Sequence, residues 1–255
     1  MKRLFSLPIA WTLFTSFAHA SWHTPCRSVH RCDQGYDCKM SVASPYCENE
    51  SAMHTLANQG TASINSSAED GVFTFDASAV LAAAPESVIT ASLCYDAYAQ
   101  WGMPNVVHNH TIATETPAAS EVDLLGKLVI WSHMRLAEIP ILQSYHFFSV
   151  INFRNFNGIA WKQVPSEDLP FRPSQEYTDS SAFDWIRGSF YVYPLDAEHS
   201  YVRYFVSSKV QFGDLLSLPI GNFNASILEA MTPGVARVLR IIGERSQTTP
   251  PCSRP

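Results

Sequence analysis

Charge is scarce in this chain, and one long stretch lacks positive charge altogether. Only 16% of the 255 residues are charged, and from Met40 to Gly126 there is no Lys or Arg against ten acidic residues. Phosphate backbones and anionic lipid surfaces are met by clustered cations, so this pattern argues against nucleic-acid binding and against docking on a membrane through a basic patch. Several catalytic signatures are missing as well. The chain has no G-x-S-x-G nucleophile elbow, no H-E-x-x-H zinc helix and no Gly-rich phosphate loop. No catalytic residue and no cofactor is therefore expected, and an enzyme is the less favoured reading. Internal repeats are absent too. Beyond the N-terminal twenty residues no run is apolar enough to span a bilayer, so no stable membrane span is expected once those residues are removed.

What is present is a globular composition, 46% hydrophobic, behind an export signal. Lys2 and Arg3 give a positive start, Leu4 to Phe17 is mostly apolar, and Ala18-His19-Ala20 is the small-x-small pattern of a cleavage site. Residues 1–20 are expected to be a cleavable signal peptide, leaving about 235 residues in the periplasm or secreted. The six cysteines, Cys26, Cys32, Cys38, Cys47, Cys94 and Cys252, are an even set that suits three disulfides in an exported protein. Four of them fall within 22 residues, marking 21–60 as a Cys-rich N-terminal segment whose pairing is open. The gaps of five, five and eight residues do not match C-x2-4-C zinc spacing, so no metal is expected there. If Cys94 and Cys252 pair, they pin the C-terminal tail, 247–255, to the first helix. Asn49, Asn65, Asn109 and Asn224 each open an N-x-Ser/Thr sequon. The compact signal reads as bacterial, which leaves these sequons to chance.

Residues 48 to 70 are small and polar and read as a linker or surface excursion. Gly71 to Asp76 reads as a strand. Pro85 and Glu86 open a helix, with Pro in its first turn and an acidic residue at the positive end of the dipole. That helix is predicted to run to about Gln100, with Val88, Ala91, Tyr95 and Tyr98 on one face. Strands are then predicted over 106–116, 124–136, 143–153, 158–164, 183–193 and 201–210, joined mostly by short loops, which favours an antiparallel sheet. The end is helical, with Ile227, Met231, Val235, Val238 and Ile242 on one face. Thr232-Pro233 either kinks a single helix or starts a second one. The fold class is α+β: a curved antiparallel sheet with one long C-terminal helix across it.

The run from Pro85-Glu86-Ser87-Val88 through Cys94-Tyr95-Asp96-Ala97-Tyr98 to Trp101-Gly102-Met103-Pro104 resembles the first helix and following turn of START-like (SRPBCC) proteins. These include the polyketide cyclase and dehydrase group and coenzyme Q-binding relatives. Gly188-Ser189-Phe190-Tyr191-Val192-Tyr193-Pro194 with Tyr201-Val202-Arg203-Tyr204 is a second similarity, and Leu218-Pro219 a third. The resemblance covers residues 71–246. It implies the helix-grip fold, a sheet wrapped around a long C-terminal helix with a cavity between them that takes a hydrophobic small molecule such as a lipid or quinone. The Cys-rich segment and the export signal depart from the family pattern.

Alternation along 128–136 puts Leu128, Ile130 and Met134 on one face of their strand. The resemblance implies that Phe190, Val192, Val202 and Tyr204 face the helix, with Val235, Val238 and Leu239 opposite. These ten residues are the expected cavity lining. His133 and Arg135 share the other strand face with Trp131 and are expected outside the cavity. His108 and His110 share a face but lack a third ligand for a metal. The resulting expectation is an exported binding or carrier protein. One alternative is a cyclase-type enzyme using Tyr204, His133 or Arg135 in the pocket. Another is an interaction module without ligand, whose contacts are made by the Cys-rich segment.

Overall fold

The computed structural model describes Trp22 and residues 44–119, 121, 124–135, 143–153, 158–211 and 220–248, with the side chains of 220–224 and 226 set aside. The expected signal, Cys26, Cys32, Cys38 and Cys252, Leu136 and Leu218-Pro219 lie outside the described residues. The helices are α1 (Glu50–Gln59), α2 (Pro85–Ser92) and α3 (Ile220–Ser246). The strands are β1 (Ser63–Glu69), β2 (Val72–Leu81), β3 (Val106–Glu115), β4 (Leu124–Arg135), β5 (Gln143–Phe153), β6 (Gly158–Val164), β7 (Phe183–Pro194) and β8 (Ser200–Val210). They form a single sheet in the order β1-β2-β8-β7-β6-β5-β4-β3, with every neighbouring pair antiparallel. This is the expected α+β helix-grip architecture.

Two elements replace the linker read over 48–70. Asn49 caps α1, its Oδ1 accepting from the Ala52 amide at 3.1 Å. Met53 and Leu56, three residues apart on α1, are both fully buried against Tyr201. β1 then follows and joins β2 through Asp70-Gly71, with φ of 50° and 75°. Two successive positive φ values in a two-residue loop are the hairpin geometry that Asp-Gly favours. β1 is an edge strand, so its Ser and Asn side chains stand in water at no cost.

α2 starts at Pro85 as predicted but stops at Ser92, well short of Gln100. Its last turn is tied back on itself: Thr90 Oγ1 donates to the Glu86 carbonyl and Ser92 Oγ to that of Ile89. Tyr98 Oη then donates to the Ser92 carbonyl at 2.6 Å, so the chain folds over as a 3-10 turn at Tyr95–Ala97. α3 is one helix straight through Pro233, and Thr232 Oγ1 bonds the Leu228 carbonyl at 2.7 Å. Neither Cys47 nor Cys94 is a free thiol.

The two sheet faces are used differently. Phe73, Phe75, Ala77, Ala79 and Leu81 of β2 face the main core under α3. Asp76 and Ser78 face the other way, toward Arg203 and Tyr201. On this outer face Tyr201 is fully buried beneath α1, and its hydroxyl is held by Ser44 at 2.7 Å and Ser78 at 2.9 Å. Beside it Arg203, 4% exposed, makes a two-pronged ion pair with Asp76 at 2.9 and 2.5 Å. Removing one partner of such a pair leaves a buried charge poorly matched. Asp76→Ala is expected to lower stability by about 3 kcal/mol in urea unfolding. A loss below about 1 kcal/mol would mean that water reaches Arg203.

His146 of β5 points inward and is 0% exposed, its ring 5.5 Å from that of Phe148 and 5.6 Å from that of Phe183. Neither ring nitrogen has a hydrogen-bond partner, and burial pushes the imidazole down to about 4. The folded value lies below the unfolded 6.5, so the unfolded state binds the extra proton first. The associated stability is complete above about pH 6.5 and is lost as pH falls toward 4, on the order of 3 kcal/mol in all. His146→Phe should therefore flatten the stability profile between pH 4 and 6.5 relative to wild type. Parallel profiles for the two proteins would show that the ring is not buried neutral.

Candidate functional site: a cavity beneath the C-terminal helix

Between α3 and the sheet lies a partly open cavity of about 160 Å³. It exists because α3 does not approach the sheet evenly. On the flank of α3 toward β2, Gly243 sits so close to Leu81 that a Cβ there would lie 3.0 Å from Leu81 Cδ2. Beneath that flank Val192 and Val202 are cross-strand partners, Val202 pairs with Ala79, and all are buried in the core. On the other flank large side chains hold the layers apart. β4 contributes Ile130 and Met134, β5 Phe148 and Val150, β7 Ile186 and Phe190, and β8 Tyr204 and Val206. α3 closes the space with Val238 and Ile242.

Half of the expected lining is therefore at the cavity: Ile130, Met134, Phe190, Tyr204 and Val238. Val192, Val202, Val235 and Leu239 are buried core residues away from its wall, and Leu128 packs against the core while partly exposed. Alternation speaks only to the face of a strand a residue is on. It does not say where along a face two layers part.

The residues missed in the sequence supply most of the character of the site. Tyr95 and Tyr98 enter from the turn after α2, and Trp161 from β6. Trp161 lies flat against the sheet over Gly188, its cross-strand partner; a Cβ on Gly188 would fall 2.3 Å from Trp161 Cζ2. The indole then stacks on Tyr204 with ring centres 5.7 Å apart, and Tyr204 meets Phe190 edge-on at 6.3 Å. Tyr95 and Tyr98 form a second aromatic pair at 5.1 Å.

The polar groups of the wall are all uncharged, and among the described residues no Asp, Glu, Lys or Arg lines it. Ser132 Oγ donates to Asn109 Oδ1 at 2.6 Å across β3 and β4. Asn109 itself is only 6% exposed, although the next residue of its sequon, His110, is exposed. Tyr98 is committed to the Ser92 carbonyl, whereas the buried Tyr95 hydroxyl has no partner. Burial pushes Tyr95 and Tyr98 well up, and Tyr204 up to about 12, so all three stay protonated across the physiological range.

His133 and Arg135 lie on the opposite side of β4. His133 stacks on Tyr145 at 4.4 Å, and Arg135 is exposed. His108 and His110 share that outer face, with ring centres 6.4 Å apart, next to Trp131 and Tyr177. Among the described residues no group of three His, Cys, Asp or Glu is placed to hold a metal ion, and no helix is long and apolar enough to cross a membrane.

Gly188 is the position on which the aromatic wall rests. Gly188→Ala is expected to cost about 1–3 kcal/mol through overpacking and to shift the indole emission as Trp161 is lifted. Unchanged melting and emission would show that the wall is loosely packed.

No family model and no curated protein matches the sequence. By structure, the chain is similar to the ZhuI aromatase/cyclase from Streptomyces sp. R1128, with a TM-score of 0.51 and 12% identity over 69% of this chain and 94% of that one. A STAR-related lipid transfer protein from Xanthomonas axonopodis gives a TM-score of 0.46 and 15% identity over 74% and 99% of the two chains. Human STARD10 gives 0.48 and 12% over 73% and 74%. At such identities it is the fold that is shared, and with the element order and the cavity described above this chain has the START-like, SRPBCC-type helix-grip fold.

Proposed function

We propose that this protein is an exported binding or carrier protein for a hydrophobic small molecule, held between α3 and the sheet. The observation that carries the reading is the uncharged, largely apolar cavity of about 160 Å³. Apolar cavities of about 150 Å³ stay dry and admit a guest the size of benzene. Burial of apolar surface, about 25 cal/mol per Å², supplies the affinity, offset by the guest's lost freedom. The structural neighbour with a TM-score of 0.51 is named as an aromatase/cyclase, which is consistent with a hydrophobic guest.

The enzyme alternative loses ground on geometry. Of its three polar residues only Tyr204 lines the cavity, because His133 and Arg135 are on the far face of β4. Tyr204 is held protonated by burial, so the wall offers no ready base. Export rests on the N-terminal signal, and it is supported by the lack of free thiols at Cys47 and Cys94, as disulfide pairing in an oxidising compartment requires.

Native mass spectrometry after mild extraction tests the proposal, together with a titration of naphthalene followed by intrinsic fluorescence. The wild type should carry or take up an apolar guest, and Val238→Trp, which fills the space under α3, should weaken uptake at least tenfold while keeping its circular dichroism. A protein that is empty on extraction and binds no apolar probe would sink the carrier reading.

A further inference from the structure

The proposed guest can be narrowed from the walls of the cavity, and this step rests on the binding reading above. Three observations bear on it. The volume is that of one ring system, not of a two-chain lipid. The walls are aromatic on both sides: Trp161 and Tyr204 on the sheet, Tyr95 and Tyr98 on the turn after α2. Flat side chains facing a narrow space favour a flat guest that stacks on them. The third observation is polar. The Tyr95 hydroxyl is buried without a partner, an arrangement that costs free energy unless something fills it. Tyr95, Tyr98 and Tyr204 all line this one cavity. Of the three phenols, Tyr98 already donates to Ser92, which leaves Tyr95 and Tyr204 to meet a guest.

We infer that the cavity takes a small planar aromatic molecule carrying one neutral oxygen, a ketone or phenol, and that the Tyr95 and Tyr204 hydroxyls bond this oxygen. A carboxylate or phosphate is disfavoured, because no cation lines the site to balance it. A long alkyl chain would leave the aromatic walls unstacked and the Tyr95 hydroxyl unpaired.

Acetophenone and α-methylstyrene make the test direct. They differ by a carbonyl oxygen against a CH2 of nearly the same shape, and both can be titrated by protein NMR. Acetophenone should bind the wild type about five- to tenfold more tightly, the effect of one added hydrogen bond. In Tyr95→Phe or Tyr204→Phe this preference should shrink while α-methylstyrene binds as before. Tyr95→Phe keeps the ring and removes only an unpartnered hydroxyl, so its melting temperature should be unchanged or higher. Equal binding of the two probes by the wild type overturns the oxygen contact and leaves the cavity reading standing. A preference that persists in both variants overturns the tyrosine assignment. Tighter binding of 1-dodecanol than of acetophenone overturns the aromatic class. If no probe binds, the failure lies with the cavity reading itself.

Discussion

The structure depends on one mismatch of shape: a 27-residue helix laid across a curved sheet packs closely along one flank, at Val235, Leu239 and Gly243, and leaves a gap along the other, at Val238 and Ile242. Contact is closest where Gly243 meets Leu81, with neighbours too small to hold the layers apart. Ala79, Val192 and Val202 fill the sheet side there, and the interface closes into ordinary core. Toward β4–β6 the sheet turns away, and the gap must be filled by large rings or left as a cavity. The chain does some of each. Trp161, Phe148, Phe190 and Tyr204 fill most of the space, and what remains is lined by their faces. The small residues that let the helix in on one flank and the aromatics that keep it off on the other are thus two halves of one arrangement.

The rear of the sheet is tied down by different chemistry. Its outer face at β2 and β8 carries a buried arginine pair and a buried tyrosine, neither of which suits a solvent-facing surface. α1 and the preceding turn cover Tyr201, with Ser44 and Ser78 taking both hydrogen-bonding directions of its hydroxyl. Trp22 extends the cover: its indole N–H donates to Asp196 at 2.9 Å and its ring stacks on His54 at 4.5 Å. Asp196 loses hydration there, which alone would raise its pKa. Its bonds from Glu198, Trp22 and His199 outweigh that and bring it down to about 2. Trp22 and residues 44–59 are therefore packed structure with a small core of their own, separated from the cavity by the thickness of the sheet.

How much of this could be read from the chain depended on the range of the physics involved. Strands β3 to β8 and α3 were legible because period-two and helical patterning persist over many residues, and Pro85 fixed the start of α2 on local grounds. β1 was missed although Asp70-Gly71 is a strong hairpin signal. Its strand is an edge, and Ser63 to Glu69 has Ile64 alone of the branched and aromatic residues that mark buried strands. α1 was missed because only Met53 and Leu56 of its ten residues are buried, too few to show a period. The end of α2 could not be foreseen because it is set by Tyr98 folding back onto Ser92, a bond between residues whose pattern looks helical.

Legibility of the site followed the same division. Ile130 and Met134 were found by alternation, since facing is a local property of a strand. Trp161 was not, because its importance lies in what β7 lacks: a side chain at Gly188, opposite it across the sheet. Tyr95 and Tyr98 were seen as one helical face and turned out to stand just past the helix, where the tightened turn swings both rings to the cavity. Once there, burial decides their chemistry. A phenol taken out of water holds its proton more firmly, and a neutral hydroxyl in an apolar wall is a sparing way to place a polar contact. A carboxylate or ammonium in the same place would need a buried counter-ion, as Arg203 does on the outer face. Tyrosine gives the inner face polarity without that demand, and so the cavity keeps directional hydrogen-bonding groups while remaining uncharged.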